Sequence, residues 1–524
     1  MFPLFVLCLY PLRSSVADFL LKNNTLTLQP AIFPLEIFMN TNKLSTNTIN
    51  VSSEVGRLQR LLIHSPDRGL GKVVPSKAQD WLFEDIVHLD TMRREEYDYY
   101  VKLLLYFLDP DKIRGRIAEI DADPSRAFYK PGAEGYFDSD RVVDLQSMLG
   151  FILKDDVIRT KLIASICGIE KCSYQTQVAL TAIDPDELAK IFISGSLSDD
   201  RMLFSPLPNL IFTRDIGIVI NDHILLNRPA KAARTRESLL AQYVFFHHPM
   251  FSDCRDKIIE IPDNEKHFLL PEDEKLNDYN RSTLEGGDVM MVAPRHLLIG
   301  CSERTTLYAA QQVMRILFEK NVVDTITIVK IPKKRDYMHI DTIFTQVKKN
   351  MWVLLHSLGR QGDEARKKDV LHFFAPKALD QELKIMQFIK GLEHKPIEIE
   401  NLEDLLTDIS RNDLGCTEEV KFIYSGNNEF PFGDREQWTD SCNLLALKDG
   451  VVIGYDRNDK TLDAFRAQGF RVIGAADLLA QFENGTLSPE TLTDTFIMLP
   501  SAELSRARGG SHCMSMPILR DALS

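Results

Sequence analysis

The sequence predicts an α/β protein in which β-hairpin-plus-helix units form a closed ring of sheets. The composition of the 524 residues is that of a globular chain, with 44 % apolar and 26 % charged residues. A polar Asp or Asn repeatedly precedes a β-rich run, a tight turn and a second β-rich run, and helical segments separate these units. A closed ring would protect the strand edges. Periodicity alone does not fix closure, so the hairpins could instead share one α+β sheet.

Four units carry this pattern, with turn residues between two β-rich runs in each. They span residues 215–227, 288–300, 341–356 and 443–454. Helical patterns follow three of them, over residues 234–245, 305–319 and 461–468. A partial fifth unit begins at Glu54.

Two segments interrupt the repeat and predict insertions into a catalytic α/β body over residues 51–524. The first, about 80–201, is largely helical in pattern, with a strong amphipathic stretch from Thr91 to Leu108 and a second from Asp140 to Ile166. The second, about 357–417, is charged and is expected to be helix-rich. Residues 1–50 are interpreted as an extension that is disordered or wrongly assigned, with the working protein beginning near Met39 or Val51.

Composition excludes several classes of function. The chain has 62 Lys and Arg against 75 Asp and Glu, a net charge of −13, which argues against a nucleic-acid partner but suits a cationic small substrate. No apolar run reaches the ~18 residues of a membrane helix. The apolar N-terminus lacks the basic region of a signal peptide. Eight scattered cysteines do not form a secreted disulfide framework, so a cytoplasmic location is expected.

Four short clusters carry groups suited to chemistry, and the last of them offers a nucleophile. Cys513 follows Gly509 and Gly510, which allow unusual backbone angles or the close approach of a ligand. A cysteine on such a loop acts as a nucleophile if a neighbouring group favours its thiolate. The adjacent His512 is a poor candidate for the base. The four clusters are Leu207-PNLIFTRD-Ile216, Glu285-GGD-Val289, Met338-HID-Thr342 and Arg508-GGSHCMSM-Pro517.

The remaining clusters supply a histidine and carboxylates. His339 and Asp341 would share one face if they lie on a strand, because side chains alternate there. Asp215 and Asp341 hold equivalent places in the repeat, so a ring would bring them together around a cation. A guanidinium, planar and always charged, suits two carboxylates, and a metal ion is the rival. Glu285 is expected to orient His339.

Together the four clusters strongly resemble the arginine deiminase family of the guanidino-group-modifying (pentein) superfamily, from about Ser53 to Arg520. The resemblance implies a five-bladed α/β propeller with a helical module inserted after the first blade. It implies that Cys513 is the nucleophile and His339 the general acid/base. It also implies that Asp215 and Asp341 hold the guanidinium and that Glu285 positions His339.

The same resemblance implies a substrate and the residues that bind it. The substrate is free L-arginine, which is hydrolysed to L-citrulline and ammonia through an S-alkylthiouronium on Cys513, with no metal or organic cofactor. Arg234 and Arg304 are expected to hold the substrate carboxylate. Asn209 and Phe212 are expected to line the pocket, and Arg508 to lie on a mobile loop beside the nucleophile.

Three alternatives stay open from the sequence. An amidinotransferase of the same superfamily would pass the amidino group to an amine instead of water. A catalytically silent guanidino-binding protein would keep the pocket without turnover. A metal site could use Cys513, His339 and the aspartates. The sequence also leaves open whether the chain forms a homo-oligomer.

Overall fold

A computed structural model describes residues 48–523 except 79, 82, 199–200, 263–281 and 360–382. These residues fall within one compact unit, Asn47–Ser524. Almost all of the predicted N-terminal extension, 1–50, and the middle of the predicted 357–417 insertion lie outside them. Within these ranges, no helix is both long and apolar enough to cross a membrane.

Twenty strands form the sheets of the described chain. They are, in order, β1 (Leu58–Ile63), β2 (Val142–Asp144), β3 (Ser196–Ser198), β4 (Arg201–Met202), β5 (Gly217–Ile220), β6 (His223–Leu226), β7 (Ile258–Ile259), β8 (Val289–Ala293), β9 (His296–Cys301), β10 (Thr325–Lys330), β11 (Phe344–Lys348), β12 (Met351–Leu354), β13 (Lys384–Ile389), β14 (Ile397–Ile399), β15 (Lys421–Tyr424), β16 (Leu445–Lys448), β17 (Val451–Tyr455), β18 (Arg471–Gly474), β19 (Thr495–Leu499) and β20 (Met516–Arg520).

The α-helices bury apolar faces against these sheets. Val313 and Leu317, for example, belong to one buried cluster with Ile326 of β10. The α-helices of the described residues are Leu89–Thr91, Asp98–Leu108, Ile117–Ala122, Leu145–Ile152, Asp156–Ile169, Tyr174–Thr181, Pro185–Ser194, Thr235–His247, Leu307–Glu319, Leu402–Asp408, Phe432–Trp438, Asp459–Ala467 and Ala475–Glu483.

The four predicted hairpins are confirmed, and each gains a third strand. The pairs β5–β6, β8–β9, β11–β12 and β16–β17 are antiparallel. A parallel strand then joins each second strand: β7, β10, β15 and β19 respectively. A chain segment between the hairpin and the parallel strand supplies the crossover, as parallel pairing requires.

The fifth sheet joins the two ends of the described chain. β1 pairs antiparallel with β20 and parallel with β2. Arg520, at the end of β20, is buried and donates hydrogen bonds to the carbonyl oxygens of Gly56 (2.7 Å) and Ala446 (2.8 Å). The partial unit at Glu54 is therefore completed by the last strand of the chain and not by a local hairpin.

The predicted insertions contain strands as well as helices. The described part of 357–417 includes β13 and β14, which extend the sheet beyond β10. β13 is largely apolar, with Lys384 its one charged residue, and its pairing with β10 buries Ile385. In the first insertion, β2 pairs with β1. The predicted helix at Thr91–Leu108 is interrupted by a π-helix, Met92–Tyr97.

The expectation that His339 and Asp341 share one strand face is wrong. His339 precedes a 3₁₀ turn, Ile340–Thr342, and β11 begins only at Phe344. Side-chain hydrogen bonds fix this turn: the Thr342 hydroxyl donates to the His339 carbonyl (2.7 Å), and the Ile340 amide donates to Asp288 (3.0 Å). Similar turns precede β5 and β8, so the polar residue of each repeat lies at the entrance to its hairpin.

Candidate active site

A small pocket brings most of the predicted site residues together. Its volume is about 20 Å³, room for about one water molecule. Glu285 and Asp341 lie directly behind the lining, bonded to His339 and Cys513. The predicted residues that line it are Asn209, Phe212, Asp215, Arg234, Arg304, His339, Arg508 and Cys513.

Cys513 is held by its backbone and buried at the base of the pocket. Its amide donates to the side-chain oxygen of Asn443 (3.0 Å), and its thiol donates to Asp341 Oδ2 (3.3 Å). Gly509 is needed here for close approach, because a Cβ at that position would collide with the Phe212 ring. Burial, and then the neighbouring carboxylates, hold the pKa of the Cys513 thiol well above its usual range.

A chain of buried polar and charged side chains lies behind Asp341. His512 contacts Asp341 Oδ2 through Nδ1 (3.0 Å) and Glu54 Oε2 through Nε2 (3.2 Å). Burial raises the pKa of Asp341, but His512, His339 and Arg214 together outweigh burial and the net shift is downward. Arg214 Nη1 lies 3.6 Å from Glu54 Oε1. Both ring nitrogens of His512 thus contact carboxylates, one of which belongs to the site.

His339 forms the predicted contact with Glu285. Its Nε2 lies 2.9 Å from Glu285 Oε2, and both side chains are buried. Burial lowers the pKa of His339, but Asp215, Glu285 and Asp288 outweigh burial and raise it to about 10. His339 is therefore an imidazolium near neutral pH. Gly287 is required at this point because a Cβ there would lie 2.5 Å from His339 Nδ1.

Arg234 occupies an unexpected position. Its Nη1 donates to Asp215 Oδ2 (2.8 Å) and Glu285 Oε2 (3.4 Å), and its Nε donates to Glu237 Oε2 (2.9 Å). Burial lowers its pKa, but these three carboxylates outweigh burial and raise it. A guanidinium of the chain therefore lies on Asp215, the carboxylate expected to hold the substrate guanidinium.

Arg304 is less tightly held than Arg234. Its Nη1 lies 3.8 Å from Glu285 Oε1, and its Nε lies 3.9 Å from Glu303. The Nε is buried without a hydrogen-bond partner in the described chain. Arg304 Nε can therefore donate a hydrogen bond to an anionic group in the pocket. Asn209, by contrast, donates to the Trp81 carbonyl (2.7 Å) and fixes the pocket wall.

Arg508 lies at the pocket with an unusual backbone conformation and an aromatic partner. Its φ is +62°, in the left-handed region, and its guanidinium carbon lies 3.4 Å from the centroid of the Trp438 ring. Burial raises the pKa of the nearby Asp440 to about 7, although Arg508 opposes the shift. The stack on Trp438 holds Arg508 in its present place.

A set of three groups satisfies the geometry of a metal site. Ligand atoms of Asp215, Glu285 and His339 lie within 4.8 Å of one another. Arg234 already places a fixed positive charge against two of them. A metal ion would have to displace that guanidinium and the proton on His339.

Sequence reasoning missed four residues that shape the site, namely Glu54, Glu237, His512 and Trp438. The place of Glu54 near the site could have been predicted, because Glu54 begins the fifth unit as Asp215 and Asp341 begin theirs. Glu237 follows Arg234 by three residues on a helical pattern, a spacing that favours an ion pair. Nothing in the sequence links Trp438 to Arg508.

Comparison with known proteins gives the family. The family model described as arginine deiminase matches residues 176–520, about two thirds of the chain. The chain belongs to the arginine deiminase family. Relatives named arginine deiminase are 29% identical in each case. They come from Borrelia garinii, Oenococcus oeni and Staphylococcus aureus. The alignments cover 91%, 90% and 91% of this chain and 98%, 97% and 100% of the respective relative.

Solved structures with some likeness include an amidinotransferase from Microseira wollei, 13% identical with a TM-score of 0.43 over 91% of this chain and 98% of that one. A dimethylarginine dimethylaminohydrolase from Pseudomonas aeruginosa is 12% identical with a TM-score of 0.38, over 88% and 99%. The family assignment depends on the sequence comparisons.

Glu285→Gln tests the charge balance at His339. The substitution keeps the shape but removes an anion that stabilises the imidazolium, so we expect the pKa of His339 to fall clearly below about 10. The protonated form would then be lost at lower pH than in the parent protein. A pH titration of the histidine ring ¹⁵N signals, with the His339 signal assigned from His339→Gln, measures the shift.

Glu303→Gln is the matched control, because Glu303 Oε1 lies 3.9 Å from Arg304 Nε but makes no hydrogen bond or ion pair with His339 within the described part of the chain. The control should leave the His339 titration unchanged. An unaltered His339 pKa in folded Glu285→Gln protein would contradict this electrostatic account.

Proposed function

We propose that this protein hydrolyses free L-arginine to L-citrulline and ammonia, with Cys513 as nucleophile. The observation that carries the proposal is the joint placement of Cys513, His339 and Asp215 around one pocket, with Asp341 and Glu285 bonded directly behind. Membership of the arginine deiminase family supports the same activity.

The substrate guanidinium binds against Asp215 and Asp341. Arg234 supports this assignment, because its own guanidinium lies 2.8 Å from Asp215 in the closed pocket. Substrate therefore exchanges with Arg234 at Asp215. Charge-assisted hydrogen bonds from a planar guanidinium satisfy both carboxylates.

Substrate binding also activates the nucleophile. The carboxylates around Cys513 keep its proton in place, and a guanidinium cation among them offsets that effect. The thiol proton is then released to solvent, and the thiolate attacks the central guanidinium carbon. The anionic nucleophile and the cationic substrate thus compensate each other's charge in a pocket that excludes bulk water.

His339 acts first as acid and then as base. Its imidazolium gives a proton to one terminal nitrogen, the carbon–nitrogen bond breaks, and ammonia leaves an S-alkylthiouronium on Cys513. Neutral His339 then takes a proton from water as the water oxygen adds to the same carbon. A second proton leaves to solvent, the carbon–sulfur bond breaks, and citrulline departs from the Cys513 thiolate.

The pocket must open before arginine can enter. Room for about one water molecule is too little for the substrate. We propose that Arg508 leaves Trp438 and that Arg234 leaves Asp215 on binding. Arg304, with an unpartnered buried Nε, then holds the substrate carboxylate, and the freed Arg234 charge joins it.

We also infer the architecture of the protein and its location in the cell. Five sheets of three or more strands among the described residues, with β1 and β20 joining the two ends, support a five-bladed α/β propeller. The helical module of about 80–201 then follows the first blade, and 357–417 elaborates a later one. Seven described cysteines are free thiols, which supports a reducing, cytoplasmic location.

Product analysis tests the activity. Purified protein with L-arginine should release citrulline and ammonia in equal amounts, and Cys513→Ser should lower kcat by about 10⁴-fold or more because the nucleophile is lost. Cys416→Ser, a free thiol outside the pocket, is the matched control and should retain activity.

Product that forms only when glycine is present would indicate an amidinotransferase. Binding of arginine by folded protein without turnover would indicate a guanidino-binding protein.

Arg304→Ala tests the carboxylate anchor. Loss of a charge-assisted contact worth about 1.5–3 kcal/mol should raise KM for arginine roughly 10- to 100-fold. The kinetic constants for agmatine, which lacks the carboxylate, should change little. Steady-state kinetics with both substrates measure the difference.

Arg315→Ala, a substitution on an exposed helix surface, is the control and should alter neither substrate. An equal loss for arginine and agmatine in Arg304→Ala would mean that Arg304 supports the pocket without contacting the carboxylate.

A further inference from the structure

A second and larger cavity lies in the helical insertion. Its volume is about 250 Å³, room for a small metabolite. It is enclosed by the loop at Ser65 and Pro66 after β1, the π-helix Met92–Tyr97 and the turn Ala127–Tyr129. None of its lining residues belongs to the arginine pocket.

Positive charge dominates the lining of this cavity, in a chain with a net charge of −13. Four cationic side chains face two carboxylates of the lining, and Asp121, outside the lining, lies 3.3 Å from Arg126 Nη1. Arg126 is therefore ion-paired, whereas the other three cations have no ion pair within the described residues. The cations are Arg93, Arg94, Arg126 and Lys130, and the carboxylates are Asp90 and Asp98.

Arg93 is placed for recognition of an anion. Its Nε donates to the Pro66 carbonyl (2.8 Å), which fixes the guanidinium plane. Neither Nη group has a hydrogen-bond or ion-pair partner among the residues described. Burial lowers the pKa of Arg93, although Asp67, Asp90 and Asp98 oppose the shift. Two parallel donors on a fixed plane match two oxygens of a phosphate or carboxylate group.

Arg126 has the strained backbone that is common at ligand sites. Its φ is +53°, in the left-handed region, where a non-glycine residue costs free energy. Its Nη1 lies 3.0 Å from Asp98, whereas its Nε is buried without a partner in the described chain. The Tyr129 hydroxyl beside it is also buried and unpartnered. Asp98 Oδ2 is likewise buried without a hydrogen-bond partner in the described chain, so this wall holds donors and an acceptor that make no hydrogen bond there.

We propose that this cavity binds a small organic phosphate and that its occupancy is transmitted to the active-site loop. A phosphate monoester carries about two negative charges near pH 7 and three acceptor oxygens, which suit the three lining cations that have no ion pair within the described residues. A monocarboxylate would supply only one charge and two oxygens. The fork of Arg93 and the charges of Arg94 and Lys130 would hold the phosphate oxygens.

Two contacts connect the cavity wall with the nucleophile loop. Glu96, on the π-helix of Arg93, accepts hydrogen bonds from the amides of Glu503 (2.8 Å) and Leu504 (2.7 Å), which begin the turn before Arg508. Tyr100, on the helix that starts at Asp98, donates to the Ser511 carbonyl (3.2 Å). A shift of either element on phosphate binding therefore reaches the residues around Cys513.

Calorimetric titration of the full chain with glycerol 3-phosphate tests the binding, with succinate and inorganic phosphate as further probes. We expect saturable one-site binding of glycerol 3-phosphate, weakened at least about 10-fold by Arg93→Gln and by the exposed pair Arg94→Ala/Lys130→Ala. The control pair Arg315→Ala/Lys395→Ala, remote surface cations, should bind like the parent. The parent should also show a changed KM for arginine with glycerol 3-phosphate present, and Glu96→Gln should bind it without that change.

Each outcome decides one part of the proposal. No binding of glycerol 3-phosphate, or binding that neither cavity variant weakens, would overturn the site. Equal affinity for succinate would overturn the phosphate class, and tighter binding of inorganic phosphate would overturn an organic ligand. Binding without any change in KM would overturn transmission to the loop. Because binding is read by calorimetry, failure here is distinct from failure of the deiminase activity.

Discussion

The site depends on buried carboxylates at the entrances to the hairpins. Glu54, Asp215, Asp288 and Asp341 begin successive units, and all four are buried, together with Glu285. Buried negative charge is costly unless cations and hydrogen bonds compensate it. The fold answers this constraint with Arg234 and His339 beside Asp215 and Glu285, and with His512 between Asp341 and Glu54. Asp288 instead accepts hydrogen bonds from the Ser302 hydroxyl and the Ile340 amide. Positions that would otherwise destabilise the protein thus become binding positions for a cation.

The same constraint explains the resting arrangement of the pocket. Arg234 lies on Asp215, the His339 imidazolium on Glu285, and His512 between Asp341 and Glu54. In the proposed mechanism, a substrate guanidinium replaces Arg234 at Asp215 with a cation of the same chemistry. Discrimination then comes from the rest of the substrate, which explains the need for a separate carboxylate anchor. The proposal implies that the Cys513 thiol stays protonated until that exchange occurs.

Local patterns in the sequence predict much of this architecture. They do not predict contacts between residues that are far apart along the chain. Alternating apolar runs behind an Asp or Asn define the hairpins, and Gly-Gly dipeptides mark the close approaches at Gly287 and Gly509. The turn at His339 was mistaken for strand because its hydrogen bonds come partly from Asp288, far along the chain. The contact of His512 with Glu54 spans 458 positions and has no local signature. The Arg234–Asp215 pair depends on which cation fills the pocket, which composition and spacing do not specify.

The covalent intermediate on Cys513 is the central claim, and its capture tests the account most directly. Protein mixed with L-arginine and quenched in acid during turnover should carry an adduct equal in mass to arginine less ammonia. Peptide mapping by mass spectrometry should locate that adduct on Cys513. Citrulline formation without any adduct in quenched samples taken across the first turnover, or an adduct on another residue, would contradict the mechanism.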